Sequence, residues 1–371
     1  MIKSQVNIKK LNVIILLVAM VFAACTSTPK SYVIEGVVPD ASYNNQMVYL
    51  CDINHVNRID SALVVDGKFT FTGSVDTVVI RSLLLLNQLY VDFIFENGQI
   101  YMDMADPNSA KGTPMNDELS KFYSEWDVFE ETVRTKFTEI QQNGDVGDEV
   151  RQKQIDEFTE QYVLPKGEQL GAKYFNANNN NAVGALVLRH LSVRMQLAPD
   201  QFDAFYMQAG DVVRNFSDLK KISERNAKIM QTAEGMSFTD FTIENGNMDG
   251  SSVSLSDYVG KGKYVLADFW ASWCGPCIAE IPVLVEVYNK FRGEKFEILG
   301  IAVWDKREDT QKSIESHNTT WPQILDTGEI ATNLYGINMI PHIILFGPDG
   351  TIIARGLRGD RLKAKVAEVM Q

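Results

Sequence analysis

Residues 270–282 read WASWCGPCIAEIP, and the two cysteines in this stretch decide how the whole chain is interpreted. Cys274 and Cys277 stand two residues apart, between an apolar run and a segment with the pattern of a helix. A pair with this spacing is a redox couple, half of a metal site, or two buried thiols without chemistry. The neighbouring sequence favours the redox couple.

The flanking residues place the pair where a buried strand passes into a helix. YVLADFWA, which ends at Ala271, is a mostly apolar run of strand length. The first turn of the following helix has unpaired N–H groups with partial positive charge, which stabilise a thiolate. We therefore expect Cys274, at the helix start, to attack a partner and Cys277, one turn further on, to resolve the mixed disulfide. The same context argues against two inert thiols.

A metal site would need more ligands than the sequence offers near the pair. Structural zinc usually takes four ligands, from two such pairs or from one pair and spaced histidines. The other cysteines, Cys25 and Cys51, have no partner at two-residue spacing, and the four histidines show no ligand spacing. No metal and no cofactor is therefore expected. Cys51, beside the apolar MVYL, is expected to be a small buried hydrophobic residue, with a regulatory thiol as the alternative.

Downstream of about residue 235 the pattern alternates between strand and helix. FEILGIAVW and IPHIILF are further apolar runs of strand length, whereas REDTQKSIESHN and DRLKAKVAEVM have helical spacing. Strands that alternate with helices predict a central sheet covered on both faces.

The sequence around the cysteines resembles a known family. VLADFWASWCGPC is similar to the active-site strand and helix of thioredoxins. DGSSVSLSDYVGKGK before it and CIAEIPVL after it resemble the TlpA-like thiol–disulfide oxidoreductases of the bacterial envelope. The resemblance covers residues 235–371, about a third of the chain. It implies an α/β thioredoxin fold and reversible dithiol–disulfide exchange at Cys274 and Cys277.

The resemblance also implies roles for two acids near the pair. Asp268 stands where thioredoxins keep a buried acid, whose raised pKa would let it take the proton of Cys277. The alternative for Asp268 is a strand-end carboxylate that faces solvent. Glu280, one helical turn past Cys277, stands where TlpA-like proteins often have an acid that tunes the resolving thiol. The alternative for Glu280 is a solvated acid on the helix surface.

Substrate-binding residues follow from the same resemblance. Pro341, in MIPHI, matches the thioredoxin loop whose proline is cis and faces the disulfide, with a trans loop proline as the alternative. This loop would present the backbone of Ile340 to an extended substrate. His342 follows where many relatives carry threonine, and packing is its expected role. Trp273 is expected to form an apolar rim around the sulfurs, with core packing as the alternative.

The first 24 residues have the marks of an export signal. MIKSQVNIKK is basic, and the apolar run after it is short for a membrane span. FAAC, which ends at Cys25, resembles the lipobox of bacterial lipoproteins. The resemblance implies that Cys25 becomes the first mature residue and carries acyl chains that anchor the protein to the membrane. The alternative is a plain secreted protein. We expect a lipid-anchored protein of the cell envelope that faces the periplasm.

Two regions lie between the signal and the thioredoxin-like part. Residues 25–110 alternate between apolar and polar in seven runs of strand length, with turn signals at Asp66-Gly67 and Asn97-Gly98. This pattern predicts six or seven strands in an antiparallel, sandwich-like β domain, with a small barrel as the alternative. It resembles the β-rich domain often found ahead of thioredoxin-like domains in envelope lipoproteins. Residues 111–234 have helical spacing, and their aromatic residues are expected in a core.

Together these features predict an exported thiol–disulfide oxidoreductase. It would reduce or isomerise disulfides of envelope proteins and receive electrons from an upstream membrane dithiol donor. The net charge of -13 argues against nucleic acid as a partner, because phosphates would be repelled. One alternative is a thiol peroxidase, although no Pro-x-x-x-Thr-x-x-Cys frame surrounds Cys274. Another is a binding or scaffold lipoprotein whose redox domain is accessory.

Overall fold

The computed structural model describes residues 29–144 and 146–371, which divide into two compact units. Pro114 ends the first unit and Met115 begins the second. The expected export signal and the expected lipidation site Cys25 lie outside the described residues. Among the helices of the described ranges, none combines the length and the apolarity that crossing a bilayer requires.

The described part of the first unit, residues 29–114, has seven strands arranged in two sheets. The strands are β1 (Tyr32–Val37), β2 (Met47–Cys51), β3 (Arg58–Leu63), β4 (Lys68–Gly73), β5 (Val79–Leu85), β6 (Leu89–Phe95) and β7 (Gly98–Asp103). The sheet orders are β4-β1-β7 and β3-β2-β5-β6. All pairs in these two sheets are antiparallel except β1 and β7, which run parallel. Ile34, Leu50, Leu83 and Phe93 lie in the apolar core of this unit. The expected β-rich fold is confirmed.

Of the two turn signals noted in the sequence, Asn97-Gly98 does not form a hairpin between the strands on either side of it. β6 pairs with β5, whereas β7, which starts at Gly98, pairs with β1 in the other sheet. The chain therefore changes sheets at Asn97-Gly98 and does not turn back on itself. The side chain of Asn97 fixes this crossing, because it accepts from the Val75 N–H (3.0 Å) and donates to the Val75 carbonyl (2.8 Å). At Asp66-Gly67 the turn is tight, since the two residues that flank it bridge each other.

Seven helices follow within residues 114–144 and 146–234, a region for which the sequence spacing predicts helices. They are α1 (Pro114–Gln142), α2 (Asp148–Phe158), α3 (Leu164–Ala177), α4 (Ala182–Arg194), α5 (Pro199–Tyr206), α6 (Asp211–Arg214) and α7 (Ser217–Gln231). A π-helical segment, Thr159–Val163, joins α2 to α3. Phe122, Trp126, Phe175 and Phe202 are buried, so the aromatic residues of this region form a core as expected.

The C-terminal part has a five-stranded central sheet in the order β12-β11-β10-β13-β14. Its elements are β8 (Thr242–Ile243), β9 (Val253–Ser254), β10 (Tyr264–Trp270), α8 (Gly275–Phe291), β11 (Phe296–Ala302), α9 (Arg307–Ser316), β12 (Gln323–Ile324), α10 (Ile330–Tyr335), β13 (His342–Phe346), β14 (Ile352–Arg355) and α11 (Gly359–Val369). β10, β11 and β12 run parallel, and β13 is antiparallel to both of its neighbours. This is the thioredoxin fold, which confirms the expected fold class.

Both faces of this sheet are covered, and this burial positions the cysteine pair. On one face Leu266 packs with Leu284 of α8 and Leu362 of α11. On the other face Phe269 packs with Tyr335 of α10. The central strand β10 is therefore buried on both sides, and it delivers the chain directly to the start of α8.

Candidate active site

Cys274 and Cys277 are joined by a disulfide bond at the start of α8, with their Cα atoms 5.2 Å apart. Cys274 is the N-cap residue, and its sulfur accepts a hydrogen bond from the N–H of Cys277 at 3.2 Å. Pro276 lies in the first turn, where its missing N–H costs little. The sulfur of Cys274 thus lies at the positive end of the helix, where a thiolate is stabilised.

The disulfide is enclosed by a small apolar cluster. Cys274 is 4% exposed and Cys277 is 1% exposed, so the surface offers only the edge of the first residue. The side chains packed with the pair come from four different segments of the fold: Trp270, Ala271, Ile278, Ile314 and Ile340. Among the described residues, no three His, Cys, Asp or Glu side chains are grouped so that they could hold a metal ion.

Trp273 lies at the surface beside the pair and is 62% exposed. Its indole N–H donates to the carbonyl of Trp304 at 3.0 Å. The alternative that Trp273 is a core residue is therefore wrong. Its ring is fixed at one end and presents an apolar surface to solvent next to Cys274.

Asp305 fixes the loop that carries the first cysteine, and sequence reasoning missed it. Its carboxylate accepts from the backbone N–H of Ser272 (2.6 Å), the hydroxyl of Ser272 (3.1 Å) and the hydroxyl of Thr310 (2.9 Å). Asp305 follows β11, whose carboxyl end lies beside that of β10 in the parallel pair. Polar residues just after neighbouring parallel strands meet at one edge of a sheet, and this rule could have found it.

Asp268 is buried within β10, and the alternative that it faces solvent is wrong. Residues two apart on a strand share a face, so Asp268 lies on the same face of β10 as Leu266 and Trp270, the face that α8 covers. Burial and, to a smaller extent, the charge of Glu280 raise the pKa of Asp268 to about 7. Within the described residues its Oδ1 atom has no hydrogen-bond partner. This carboxyl therefore exchanges its proton near neutral pH.

Glu280 is half-buried rather than fully solvated. Its Oε1 atom accepts the N–H of Gly359, the first residue of α11, at 2.6 Å. An acid at a helix start is favoured by the helix dipole, so this contact holds Glu280 in place. Its charge acts on the pKa of Asp268, as described above.

The Ile340–Pro341 peptide bond is cis, so the alternative of a trans proline is wrong. The carbonyl of Pro341 accepts from the Arg358 guanidinium at 2.6 Å, and the side chain of Ile340 packs against the cysteine pair. His342 points to the other face of the sheet, where its ring contacts Phe269. Burial, followed by the nearby Arg355 and Arg358 charges, lowers the pKa of His342 to about 4, so it packs as a neutral ring.

Cys51 is fully buried in the first unit, as expected for a small hydrophobic residue. Its thiol donates to the carbonyl of Tyr49 at 3.7 Å. Burial raises the pKa of this thiol, which makes it less reactive.

Comparison with family models assigns two parts of the chain. Residues 235–355 match the model of the AhpC/TSA family. Residues 32–119 match a domain of unknown function, DUF4369. The first match covers the strands and helices that surround the cysteine pair, and the second covers the two-sheet unit.

Similar proteins have names that refer to one chemistry. The thiol-disulfide oxidoreductase ResA of Bacillus subtilis is 30% identical over 121 residues, which cover 33% of this chain and 65% of that protein, slightly under two thirds. ResA of Geobacillus thermodenitrificans is 31% identical over 120 residues, which cover 32% of this chain and 67% of that protein. A solved thioredoxin domain of a thiol-disulfide oxidoreductase from Bacteroides vulgatus is 38% identical, covers 38% of this chain and 99% of that chain, and has a TM-score of 0.35.

Proposed function

Because the chain belongs to the TlpA- and ResA-like family of thiol-disulfide oxidoreductases, we propose that it exchanges the Cys274–Cys277 disulfide with thiols and disulfides of other proteins. The observation that carries this proposal is the position of the pair. The disulfide lies at the start of α8 and packs against Ile340 of the cis-proline loop. A helix start favours the thiolate, and the loop gives an extended substrate a surface beside the sulfurs.

In the reducing direction the exchange has two steps. The thiolate of Cys274 attacks one sulfur of the substrate disulfide, so a mixed disulfide forms and the other substrate sulfur leaves as a thiolate. The thiolate of Cys277 then attacks the sulfur of Cys274. This second step closes the Cys274–Cys277 bond and releases the substrate dithiol. Two electrons pass from the protein to the substrate, and the two substrate thiols take up one proton released by Cys277 and one from solvent.

Asp268 is suited to hold the proton that Cys277 must lose before the second step. Its pKa of about 7 lets the carboxylate accept a proton at neutral pH and return it afterwards. It lies on the same face of β10 as Trp270, which packs against both cysteines. Glu280 acts on this step through its charge, which helps to keep the pKa of Asp268 raised.

We further propose that the protein works in the cell envelope and in the reducing or isomerising direction. The Gly-Pro pair between the cysteines is that of thioredoxins, which as a class are reductants. Substrates would be disulfide-containing envelope proteins, and an upstream membrane dithiol donor would return the pair to the dithiol state. The export signal with lipidation at Cys25 would hold the protein at the membrane, facing the periplasm.

Trapping the mixed disulfide tests this function in the full-length protein. Reduced Cys277→Ala should accumulate a covalent adduct with a disulfide-bonded model protein, because the attacking thiol remains and the resolving thiol is gone. Cys274→Ala should form no adduct and lose exchange activity by about 1,000-fold or more. Non-reducing electrophoresis and a turnover assay measure both effects. Cys51→Ala is the control and should behave as the parent protein. Unchanged turnover in Cys274→Ala would overturn the mechanism, and peroxide consumption lost in that variant would favour the thiol peroxidase.

A further inference from the structure

A cavity of about 430 Å³ lies between α7, in the helical region, and α10 of the thioredoxin fold. Its α7 side carries three cations, Lys221, Arg225 and Lys228, and one anion, Glu224. The cations are spaced four and three residues apart, so they lie on one face of the helix. The charge balance of the lining is therefore positive.

These cations are not neutralised by the protein itself. Across residues 29–144 and 146–371, no ion pair involves Lys221, Arg225 or Lys228. The Nε atom of Arg225 is buried and has no hydrogen-bond partner in the same ranges. Arg225 is half-buried, so its guanidinium is partly shielded from water without an anion, and an anionic ligand would offset the cost of this burial.

The cavity lies next to the loop that faces the disulfide. Asn338 lines the cavity, and Ile340, two residues later, packs against Cys274 and Cys277. Two residues of extended chain span at most about 7 Å. A substrate joined to Cys274 that passes along this loop would therefore reach the cavity with a residue about two to four positions from its own cysteine.

Helices α7 and α10 are held together on either side of the cavity. The guanidinium of Arg355 donates to the carbonyl of Thr232, just after α7, at 2.7 Å and to the carbonyl of Tyr335, at the end of α10, at 2.6 Å. At Gly336 an added Cβ would lie 2.9 Å from the Arg225 carbonyl, so α7 and α10 can approach this closely because this residue is glycine. The cationic face of α7 is thus fixed beside the redox fold.

We propose that this cavity is a substrate subsite that binds an acidic side chain of a client protein, two to four residues from the client's reacting cysteine. The proposal rests on the disulfide exchange proposed for Cys274. It assigns to α7 the selection of clients by the charge near their cysteines. Because the chain carries a net charge of -13, its overall field favours basic clients, and a preference for acidic ones must come from a local site.

Single-turnover reaction with charged peptides tests the subsite in the full-length protein. Three synthetic peptides each carry one cysteine, activated as a mixed disulfide with thionitrobenzoate, and a glutamate, glutamine or lysine three residues from that cysteine. When Cys274 attacks the peptide sulfur, the mixed disulfide breaks, thionitrobenzoate leaves, and its absorbance gives the rate. The reduced parent protein should react with the glutamate peptide about five-fold faster than with the glutamine peptide, as expected of two partly exposed ion pairs. Half-molar salt should reduce this ratio.

Charge reversals inside and outside the cavity on α7 provide the matched comparison. The double variant Lys221→Glu, Lys228→Glu should lose or invert the glutamate-to-glutamine rate ratio. Lys220→Glu makes the same type of change at an exposed residue outside the cavity and should keep the ratio. All three lysines are exposed, so neither the double variant nor Lys220→Glu is expected to misfold.

The outcomes separate the subsite from the underlying chemistry. Equal rates for the glutamate and glutamine peptides in the parent protein, or loss of the ratio in Lys220→Glu, would overturn the subsite and leave the exchange chemistry intact. Release of thionitrobenzoate that persists in Cys274→Ala would overturn the exchange mechanism, and the subsite with it.

Discussion

The sheets of the two units differ in how many of their faces are buried, so a polar residue on a strand has a different significance in each. In β4 of the first unit, buried Phe69 and Phe71 alternate with exposed polar residues, so one face of the sheet is open to solvent. In β10 every residue from Val265 to Trp270 is buried, since helices cover both faces. A polar residue on an open face needs no explanation, but an acid in a sheet covered on both faces does. Asp268 is that exception, and it lies beside the redox pair.

The cysteines of the two units also show that burial alone does not determine function. Cys51 in the first unit and Cys274 in the second are both nearly inaccessible, so exposure alone does not distinguish them. Cys51 ends a strand, and its thiol donates to a backbone carbonyl. Cys274 caps a helix and has a second cysteine one turn away. The difference in chemistry therefore comes from the local backbone and not from the depth of burial.

The largest expected effect is the loss of stability when a buried phenylalanine is replaced in the core of either unit. Phe93 in the first unit and Phe269 in the second are fully buried, and replacing either with alanine should cost about 4 kcal/mol in its own unit. All five tryptophans lie after Met115, so tryptophan fluorescence reports unfolding of the second unit. Denaturant titration should show a destabilised fluorescence transition and loss of exchange activity in Phe269→Ala.

Phe93→Ala is the matched variant and should keep the fluorescence transition and the exchange activity. Circular dichroism should record its effect on the strands of the first unit. If Phe93→Ala lowered the fluorescence midpoint as much as Phe269→Ala does, the two cores could not be treated separately.

A smaller effect is expected when the buried acid of the second unit is compared with an exposed acid of the first unit. The pKa of Asp268 is about 7 in the folded protein, against an ordinary value of 3.8, so the folded protein keeps a proton that the unfolded chain releases. The free energy of unfolding should therefore fall as the pH rises from about 4 to 7, and then level off. Between pH 5 and 8 this amounts to about 3 kcal/mol, which Asp268→Asn should remove.

Denaturant titration of the oxidised protein at both pH values measures this difference. Asp60→Asn is the control, because Asp60 lies on an exposed strand of the first unit. A pH dependence that is the same in Asp268→Asn and in the parent protein would contradict a buried acid with a raised pKa.

Local pattern predicted much of the fold and of the site. Alternation along the chain predicted the seven strands in the described part of the first unit. The resemblance of the sequence around Cys274, Cys277 and Pro341 to thioredoxins implied the thioredoxin fold and the cis bond before Pro341. The pairing of the strands could not be predicted from local pattern. The crossing at Asn97-Gly98 and the parallel pairing of β1 with β7 depend on contacts between distant residues, which a turn signal does not encode.

The missed parts of the site share this cause. Asp305 acts on Ser272, 33 residues earlier, and no spacing rule within one element links them. The three cations of α7 have the spacing of an ordinary solvated helix face. Only the packing of α7 beside α10 makes them part of a cavity near Ile340.

Alkylation of the reduced protein tests the central claim most directly. The rate at which iodoacetamide modifies each cysteine is followed by mass spectrometry across pH 5 to 9. The account predicts that Cys274 reacts first, with a rate profile whose midpoint lies about one pH unit below that of free cysteine. Cys51 should stay unmodified while the protein is folded. Modification of Cys277 before Cys274, or a profile for Cys274 that matches free cysteine, would contradict the claim that the start of α8 activates the attacking thiol.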